Sequence, residues 1–410
     1  MNGIQTRFTT NNAPWVIVAG GVHRLGGTDK ANFALVEYLL QRDVPVHVVT
    51  HEIDDALMRH PAIRVELVPV AGGSFFAAEQ LLSYRGRQVA NRTIKQHPQA
   101  RVVVNGGNCM WGDINWVHRV HHAWAPETVN APWIHRLKHC LAVSDAKRRE
   151  FRSLHAARLI IANSELTRRH LIELIGVDPR IVETVQLGSE SDWAPAASCE
   201  RSAARDGLLQ PHHRPMVTFV GAIGYDNNKG LDTLLRAWRR LCCRSGWDAD
   251  LVIAGGGRAL DQWRRAVAQS EFHDSVRFLG FTDRVPQLLA AADLLVSPVR
   301  YESYGLNVQE ALCRGIPAIV SAGAGVAERY PSELRDLLLP NPEDVDDLVH
   351  RMLMWRSGID YWRERVVRFS AELRAYSWQD MAERFYGLAT HTAAATSSGS
   401  AVQAIAECAI

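Results

Sequence analysis

The 410-residue chain is poor in cysteine, and its seven cysteines lack the pattern of a structural framework. They are odd in number and scattered, and none of them forms the C-x2-C pair of a zinc site. Disulfide frameworks and zinc centres both depend on paired or regularly spaced cysteines. The sequence therefore indicates neither class, and it predicts a reduced, cytoplasmic setting.

The chain also lacks a long apolar run and an excess of charge of either sign. No apolar run approaches the roughly 20 residues that a membrane-spanning helix needs, and no basic segment, apolar core and cleavage site open the chain. The formal net charge is only +2, which gives no global signature of nucleic-acid binding. We expect a protein without a nucleic-acid partner that is soluble or at most peripheral to a membrane.

What the sequence does contain is a regular alternation of apolar, strand-like runs with helical segments. With 410 residues, of which 47% are hydrophobic, the chain exceeds what a single core usually supports. Alternating strands and helices build parallel sheets that are wound on both faces. The sequence therefore predicts an α/β protein of two Rossmann-like, doubly wound lobes that face each other across a cleft.

Composition and proline positions set the predicted boundaries of these lobes. Residues 1–194 form the first lobe, with strands at 15–19, 46–50, 63–68, 101–104, 116–121, 159–162 and 181–186. Residues 195–215 carry three prolines and little periodicity, which predicts a linker. The second lobe is expected at 216–375 and a last helix at 376–389, whereas the Ala-, Ser- and Thr-rich residues 390–410 are expected to form a flexible tail.

The most informative stretch runs from Tyr301 to Glu310. The apolar residues 294–298 before it predict a buried parallel strand, and residues 307–313 predict a helix. Glu302 would then lie in a loop at the carboxyl end of the strand, where open α/β sheets bind ligands. The amides of residues 303–306 would open a helix N-terminus, which binds diphosphate without needing a metal.

The second glutamate follows the first at a distance that argues against a shared proton. Glu310 comes eight residues after Glu302, which places it roughly 12 Å further along by the helical rise. This spacing suits the two ends of one elongated ligand. We expect Glu302 at a sugar hydroxyl and Glu310 at a ribose.

This arrangement of two glutamates resembles that of the retaining glycosyltransferases of family 4, and other segments match the same family in the expected order. Residues 217–235 resemble the first strand and helix of that family's second lobe, whose lysine, here Lys229, binds the donor diphosphate. Further segments with such a resemblance are residues 160–164, 185–188, 251–257 and 276–281. The resemblance implies the GT-B architecture, with an acceptor side on the first lobe, a donor site on the second, and a last helix that returns to the first lobe.

The resemblance also implies a reaction, the transfer of a hexosyl group from a nucleoside diphosphate sugar to a hydroxyl with retention at the anomeric carbon. The donor would be a UDP- or GDP-sugar, with adenine left open as a base, and the acceptor a glycan, a glycolipid or a small molecule. No cofactor and no metal would be required beyond this co-substrate. Lys229 and the amides of residues 303–306 would stabilise the leaving diphosphate.

The resemblance further implies that a histidine at the end of a first-lobe strand points at the transferred sugar. His121 is the predicted one and His118 the second choice, because a shift of one position changes which side chain reaches the cleft. Taken singly, His118 and His122 are more often surface or packing residues. The predicted catalytic residues are His121, Lys229 and Glu302, and the predicted donor-binding residues are Gly26, Gly27, Gly221, Lys229, Gly255, Gly256, Phe281, Glu302, Ser303, Tyr304, Gly305, Leu306 and Glu310.

The chain departs from the family at one position. An arginine that pairs with the diphosphate usually follows the glycine that corresponds to Gly221, and here Ala222 takes that place. Either Lys229 and the helix amides suffice, or another cation takes over, or donor binding is weakened. The first two alternatives are favoured because both glutamates and the lysine are intact, and the candidate cations are Arg24, Arg258 and Arg300.

Two first-lobe segments allow both a functional and a structural interpretation. The glycine pairs in residues 19–30 permit close approach of a phosphate or acceptor but are as typical of a structural turn, and they do not follow the G-x-G-x-x-G pattern of nicotinamide binding. Residues 136–158 carry seven basic residues against two acidic ones. That patch would suit an anionic membrane at the inner face, although a solvated helix face is the commoner explanation.

Other chemistries remain as alternatives. Asp248 and Asp250 match a metal-binding D-x-D pattern, but they precede a strand rather than follow one, so we interpret them as loop residues. Ala222 motivates a catalytically degenerate protein of the same fold that binds a nucleotide or glycan. A sugar-nucleotide epimerase or a phosphorylase of this fold is the remaining alternative, and the oligomeric state stays open.

Overall fold

Two parallel sheets form the framework of the protein, one in each lobe. The computed structural model describes residues 13–70, 75–124, 126 and 131–396. Among these residues, the first lobe contains a seven-stranded sheet and the second a six-stranded sheet. The prediction of an α/β protein with two doubly wound lobes is confirmed.

The strands of the first lobe are short and mostly buried. In β1, all four residues are buried, which is typical of a parallel strand covered on both faces. The strands are β1 (Trp15–Val18), β2 (Gly21–Val22), β3 (Val46–Thr50), β4 (Glu52–Ile53), β5 (Ile63–Leu67), β6 (Arg101–Asn105), β7 (Ile114–Val117), β8 (Leu159–Ala162) and β9 (Val182–Thr184). Their order in the main sheet is β5-β3-β1-β6-β7-β8-β9, and β2 pairs with β4 beside it.

One predicted strand of this lobe has different bounds. Residues 116–121 were expected to form it, whereas β7 covers Ile114–Val117, with Trp116 paired to Ile161. The chain then leaves the sheet, and a 3-10 helix covers His121–Ala123. The buried carboxylate of Glu150 accepts the amide of His121 at 3.0 Å, which satisfies the backbone outside the sheet.

Helices cover both faces of the first sheet. They are α1 (Gly27–Gln41), α2 (Asp55–Met58), α3 (Phe75–Gln96), α4 (Trp133–Ala156) and α5 (Glu165–His170), which continues into a π-helical turn at Leu171–Ile175. A further 3-10 helix covers Pro179–Ile181. The two main hydrophobic clusters of the lobe contain alternate residues of β1, with Ile17 on one face of the sheet and Val16 on the other.

The segment predicted as a linker contains a helix, α6 (Ser198–Gly207). Its Arg205 is buried and donates to the carboxylate of Asp293 at 2.6 Å. Asp293 also accepts Arg201 at 2.6 Å and the amide of Met216 at 2.9 Å. Ion pairs therefore fix this helix to the second lobe, a role that the low apolar periodicity of residues 195–215 did not indicate.

The second lobe repeats the same architecture around one large core. Its strands are β10 (Met216–Val220), β11 (Asp250–Ala254), β12 (Val276–Gly280), β13 (Leu294–Ser297), β14 (Ala318–Ser321) and β15 (Leu338–Leu339), in the order β12-β11-β10-β13-β14-β15. Its helices are α7 (Leu231–Cys242), α8 (Leu260–Ala268), α9 (Val285–Ala291), α10 (Leu306–Cys313), α11 (Val345–Ser357) and α12 (Ile359–Arg374). Three 3-10 helices cover His273–Ser275, Gly325–Arg329 and Ser332–Leu337.

A last helix, α13 (Trp378–Thr396), packs on the first lobe. Its Phe385 is fully buried in the first-lobe core, where its ring lies 4.6 Å from that of Trp116. The helix therefore returns to the lobe in which the chain begins and extends into the segment that the sequence assigned to a tail. Residues 397–410 of that segment lie outside the described residues.

Candidate active site

A cavity of about 250 Å³ separates the two lobes and is lined by residues of both. We call it the interlobe crevice. In the second lobe its walls are the loop between β10 and α7 and the loop between β13 and α10, and in the first lobe the N-terminus of α1 and the chain after β7. Its lining residues are Gly27, Thr28, His118, Arg119, Asn163, Leu187, Asn228, Lys229, Tyr301, Glu302, Ser303, Tyr304, Gly305 and Leu306.

The second-lobe wall brings the predicted lysine and the first glutamate together. The ammonium of Lys229 forms a hydrogen-bonded ion pair with the carboxylate of Glu302. β10 and β13 are neighbours in the sheet, so the loops at their carboxyl ends meet at one edge. Gly221 lies against the lysine, since a Cβ added there would be 3.3 Å from the lysine Cγ. The crevice therefore has a cation and a carboxylate side by side.

A residue that the sequence analysis missed holds these two loops in place. The side chain of Asn228 donates to the carbonyl of Tyr301 at 2.9 Å and accepts the amide of Tyr301 at 3.1 Å. The carbonyl of Asn228 also accepts the amide of Arg300 at 2.8 Å. These bonds join the residue before Lys229 to the residue before Glu302. The one sequence signal for this role was its position directly beside the lysine.

The glycine before α10 gives that helix its open N-terminus at the crevice. Gly305 has a φ of 110°, in the left-handed region that side chains rarely adopt, and an added Cβ would be 2.9 Å from Val326. The first amides of a helix have no acceptor within the helix and carry its positive dipole end. The predicted cluster at residues 303–306 therefore lines the crevice and includes the open N-terminus of α10.

The first-lobe wall presents His118 rather than the predicted His121. His118 directly follows β7, is 9% exposed and lies among the crevice residues. Neither of its ring nitrogens has a hydrogen-bond partner among the described residues. Burial lowers the pKa of His118 to about 3, so the ring is neutral at pH 7. The first-lobe wall therefore carries a neutral imidazole whose two buried ring nitrogens make no hydrogen bond within the described residues.

His121, the histidine predicted to reach the transferred sugar, does not line the interlobe crevice. Its ring nitrogen Nδ1 lies 3.0 Å from the carboxylate of Glu150, which also accepts the ring of His122 at 2.9 Å. Burial alone would raise the pKa of Glu150, but the hydrogen bonds and positive potential of His121 keep that pKa below its usual value. The early end of β7 explains this placement, because the chain has left the strand and enters a 3-10 helix at His121.

Several hydrogen bonds close the two lobes on each other around the crevice. The hydroxyl of Ser303 donates to the carbonyl of His118, and the hydroxyl of Ser164 donates to the carbonyl of Ser303 at 2.6 Å. The amide of Val120 donates to the hydroxyl of Tyr301 at 2.7 Å. The ring of Tyr304 is buried in the core of the first lobe. Ser303 and Tyr304, both predicted as donor-binding residues, thus also join the lobes.

Glu310 lies beside the crevice in a small cavity of its own. Its carboxylate accepts Lys30 of α1 at 3.3 Å, and Lys30 also pairs with Glu190 at 2.9 Å. The lysine ammonium lies 5.3 Å from the ring of Trp193 and 5.4 Å from that of Trp378. Burial raises the pKa of Glu310, and Lys30 opposes part of that rise. An interlobe ion pair therefore occupies the carboxylate that the sequence assigned to a ribose.

The remaining predicted glycines form turns at the ends of strands. Gly255 has a φ of 151°, and an added Cβ would be 1.8 Å from the carbonyl oxygen of Gly221. Gly256 faces Phe281, whose side chain is 77% exposed. Gly26 precedes α1 with a φ of 78°, and Gly27 lines the crevice. Gly27 thus reaches the crevice, whereas Gly255, Gly256 and Phe281 lie beyond its walls.

The basic segment of the first lobe includes an exposed apolar face that the sequence pattern did not reveal. Trp133 is 72% exposed and Leu141 64% exposed at the start of α4, with Ile134 and Leu137 between them. At about 100° per residue, these four side chains fall within an arc of roughly 100°. Arg136 and Lys138 flank that arc and are exposed.

The acidic pattern at residues 248–250 forms ion pairs instead of a metal site. Asp248 accepts two hydrogen bonds of 2.7 Å from Arg356, and Asp250 accepts Arg214 at 2.9 Å and also Gln210. Within residues 13–70, 75–124, 126 and 131–396, no group of three or more histidine, cysteine or acidic side chains is arranged to hold a metal ion. No helix of this described part is long and apolar enough to cross a membrane.

Comparison with known sequences identifies the family. Residues 25–192 match the family described as Glycosyltransferase Family 4, and residues 214–355 match Glycosyl transferases group 1. The two matches cover most of both lobes. The chain belongs to glycosyltransferase family 4. The family-4 resemblance inferred from the two glutamates is thereby confirmed.

Curated relatives of this family-4 chain include enzymes with different substrates. It is 27% identical to O-antigen chain mannosyltransferase B of Escherichia coli over an alignment of 234 residues. This alignment covers 56% of this chain and 59% of that enzyme. It is 28% identical to a D-inositol 3-phosphate glycosyltransferase of Nocardia farcinica over an alignment of 315 residues. This alignment covers 72% of this chain and 68% of that enzyme. The chain thus aligns with somewhat more than half of the mannosyltransferase.

Solved structures confirm the GT-B fold of the family-4 chain. Sucrose-phosphate synthase from Thermosynechococcus elongatus superposes with a TM-score of 0.72 at 18% identity, covering 94% of this chain and all of that one. WaaG, a glycosyltransferase involved in lipopolysaccharide biosynthesis, has a TM-score of 0.70 at 18% identity, covering 92% and 99%. Anabaena HepE, in complex with UDP and glucose, has a TM-score of 0.66 at 15% identity, covering 95% and 100%.

Proposed function

We propose that the protein transfers a hexosyl group from a nucleoside diphosphate sugar, UDP- or GDP-linked, to a hydroxyl acceptor, with retention at the anomeric carbon. The observation that carries this proposal is the composition of the interlobe crevice. A lysine, a carboxylate, a helix N-terminus and a neutral histidine line one cavity of about 250 Å³ between the two lobes. The volume is of the order expected for a small-molecule site.

The second-lobe wall supports binding of the diphosphate. Lys229 and the first amides of α10 form a positive, hydrogen-bond-donating surface beside Glu302. As the bond between the sugar carbon and the phosphate oxygen breaks, negative charge grows on the leaving diphosphate, and fixed donors stabilise it. We propose that no metal is required for this step.

The first-lobe wall supports binding of the sugar. His118 is neutral at pH 7, so one of its ring nitrogens can donate a hydrogen bond to a ligand and the other can accept one. We propose that His118 contacts the hydroxyls of the transferred hexose, opposite Glu302. The acceptor oxygen would bond to the anomeric carbon on the face that the diphosphate leaves, and the leaving phosphate would take the acceptor's proton.

The closed arrangement of the lobes supports a reaction shielded from water. Ser303, Tyr301 and Tyr304 join the second lobe to the first around the crevice. Entry of a donor sugar therefore needs these contacts to open, and reaction needs them to form again. For Glu310 to hold the donor ribose, as we propose, the ligand must share that carboxylate with Lys30 or displace it.

A screen of nucleotide sugars tests the proposal. Binding of UDP- or GDP-sugars should raise the apparent melting temperature to an extent set by affinity and concentration. With the matching donor and an acceptor, free nucleoside diphosphate should appear together with a glycosylated product of the same anomeric configuration. Binding without turnover would favour the degenerate alternative that Ala222 motivates. No shift with any nucleotide sugar or nucleoside diphosphate would reject the proposal.

We also propose that the enzyme contacts the cytoplasmic face of a membrane through residues 136–158 and the apolar face of α4. Exposed apolar side chains flanked by basic ones are typical of helices that lie on anionic lipid. Vesicles of phosphatidylcholine with phosphatidylglycerol should therefore bind the protein, whereas vesicles of phosphatidylcholine alone should bind it weakly. Replacing Trp133 and Leu137 with aspartate should abolish this binding.

A further inference from the structure

The crevice contains too little positive charge for a nucleoside diphosphate if Lys229 acts alone. Lys229 already pairs with Glu302, so the two side chains together are close to neutral. Residue 222 follows Gly221 at the carboxyl end of β10 and is an alanine, which supplies no charge. A diphosphate in this crevice therefore needs a second cation from elsewhere in the chain.

The three arginines that the sequence offered as replacements are engaged with other partners. Arg24 pairs with Glu37 at 3.1 Å on the outer side of α1. Arg258 lies 3.0 Å from the ring nitrogen Nδ1 of His135. Arg300 donates to both carboxylate oxygens of Asp232, at 2.8 and 2.9 Å. The side chains of all three are held away from the interlobe crevice, and none of them lines it.

Arg119 has the position and the free donors that the others lack. It follows His118 in the first-lobe wall and lines the same crevice as Lys229 of the second lobe. Its guanidinium carbon lies 4.1 Å from the centroid of the Trp124 ring, and it makes no ion pair with a carboxylate among the described residues. Stacking holds a guanidinium in one plane while its edge N–H groups stay available for bidentate contact with a phosphate.

We propose that Arg119 is the second cation for the donor diphosphate, supplied from the first lobe in place of a second-lobe arginine at position 222. This inference rests on the proposed function, because it assigns a further residue to the same site. It implies that the diphosphate lies between cations of opposite lobes, Lys229 and Arg119. Diphosphate binding is therefore coupled to closure of the lobes, since Arg119 reaches the ligand only when the first lobe is in place.

The test measures nucleoside diphosphate binding against nucleoside monophosphate binding. UDP, GDP and ADP, each with its monophosphate, are titrated by calorimetry into the full-length protein. Losing a charge-assisted contact should weaken diphosphate binding by roughly 10- to 100-fold in Arg119→Ala, with a smaller change for the monophosphate. Arg119→Lys should lose less diphosphate affinity than Arg119→Ala, because lysine keeps the positive charge but lacks the paired N–H groups of a guanidinium.

A relocated arginine sharpens the test. Ala222 is exposed, so an arginine fits there without repacking. The double variant Arg119→Ala with Ala222→Arg should recover at least part of the lost diphosphate preference. Arg24→Ala removes an arginine of the first lobe that lies outside the crevice, and it should leave the ratio of diphosphate to monophosphate affinity unchanged.

The outcomes separate this inference from the proposed function. If wild-type protein binds none of the three diphosphates, the proposed function fails. If wild-type protein binds one of them and Arg119→Ala binds it equally well, only the role of Arg119 is overturned. A loss in Arg258→Ala without one in Arg119→Ala would also overturn it. Arg119→Ala is not informative if it lowers the melting temperature in the absence of ligand. In that case the ratio of diphosphate to monophosphate affinity is measured in the folded variants Arg119→Lys and Arg119→Gln. A ratio equal to that of wild type in both variants rejects Arg119 as the second cation.

Discussion

The two walls of the interlobe crevice are held in different ways. In the second lobe, Lys229 and Glu302 follow neighbouring strands, and Asn228 bonds one loop to the other through the backbone of Tyr301. In the first lobe, the chain at His118 has left its sheet, and its carbonyl accepts a hydrogen bond from Ser303 of the opposite lobe. The second-lobe wall is thus organised within one lobe, whereas the first-lobe wall depends on contact between the lobes.

This difference teaches that half of the proposed site is preformed and half is assembled. A preformed wall should make its own contacts to the diphosphate even when the lobes are apart, whereas full affinity needs the contact that Arg119 adds on closure. An assembled wall should affect the chemical step, which needs the sugar held from both sides. The predictions below test this division, from the largest expected effect to the smallest.

Removing the lysine of the preformed wall should have the largest effect. In Lys229→Ala, turnover should fall by roughly 10²- to 10³-fold, the range seen when one preorganised donor to a developing charge is lost. Steady-state release of nucleoside diphosphate measures it. Lys229→Arg keeps the charge and should lose less. Unchanged turnover in Lys229→Ala would contradict the assignment of the diphosphate to this wall.

Comparing two histidines should sharpen the description of the assembled wall. His118→Ala should lower kcat by roughly 10²-fold with little change in nucleoside diphosphate affinity, within the range of a positioned hydrogen-bonding group. His121→Ala is the matched control, because its ring bonds to Glu150 rather than lining the crevice. The two variants are compared by kcat after their melting temperatures are measured. A larger loss of kcat in His121→Ala than in His118→Ala would indicate that His121, and not His118, acts on the transferred sugar.

The ion pair beside the crevice should contribute to the contact between the lobes. Lys30→Ala leaves the carboxylate of Glu310 without its interlobe partner, which should destabilise the protein by about 2 kcal/mol, below the 3 to 5 of a fully buried pair. Urea unfolding measures the loss, and adding Glu310→Gln should recover part of it because the unpaired charge is removed. Equal stability of Lys30→Ala and wild type would show that the pair does not hold the lobes.

Acid should destabilise the folded protein through its buried neutral histidines. Burial lowers the pKa of His118 to about 3 and that of His47 to about 4, against an ordinary value of 6.5. Between pH 6.5 and about 4 the unfolded chain binds protons that the folded chain does not, so stability falls as the pH falls.

Each of these two histidines should contribute on the order of 1 kcal/mol per pH unit in that window. Melting temperatures measured from pH 7 to pH 4.5 should therefore fall less steeply in His118→Gln than in wild type. His97→Gln, on an exposed residue, is the matched control. Equal slopes in His118→Gln and wild type would indicate that His118 is not buried in its neutral form.

Much of the second-lobe wall was predictable because its signals are local. The strand before Glu302 and the helix after it are contiguous in sequence, and a turn between a strand and a helix places its amides at one edge of the sheet. Residues 303–306 therefore line the crevice as the pattern predicted. Lys229 meets Glu302 across 73 positions of sequence, and family resemblance, not spacing, predicted that meeting.

The first-lobe side was less predictable because packing decides which side chain faces the crevice. Successive residues of an extended strand point to opposite faces, so a small error in the end of β7 exchanges one histidine for another. The carboxylate of Glu150 holds the rings of His121 and His122, and Glu150 lies 29 positions after His121 in the sequence. No local pattern indicates such a contact.

The amino-acid sequence by itself determined the alternation of strands and helices, the two-lobed α/β fold and the glycine turn before α10. These features follow from hydrophobic periodicity and from glycine positions, which act over a few residues. Tertiary structure alone decided that His118 lines the crevice, that Lys30 binds Glu310 and that Arg119 lines the same crevice as Lys229. Those pairings join residues from different lobes, and their geometry is set by how the two sheets pack against each other.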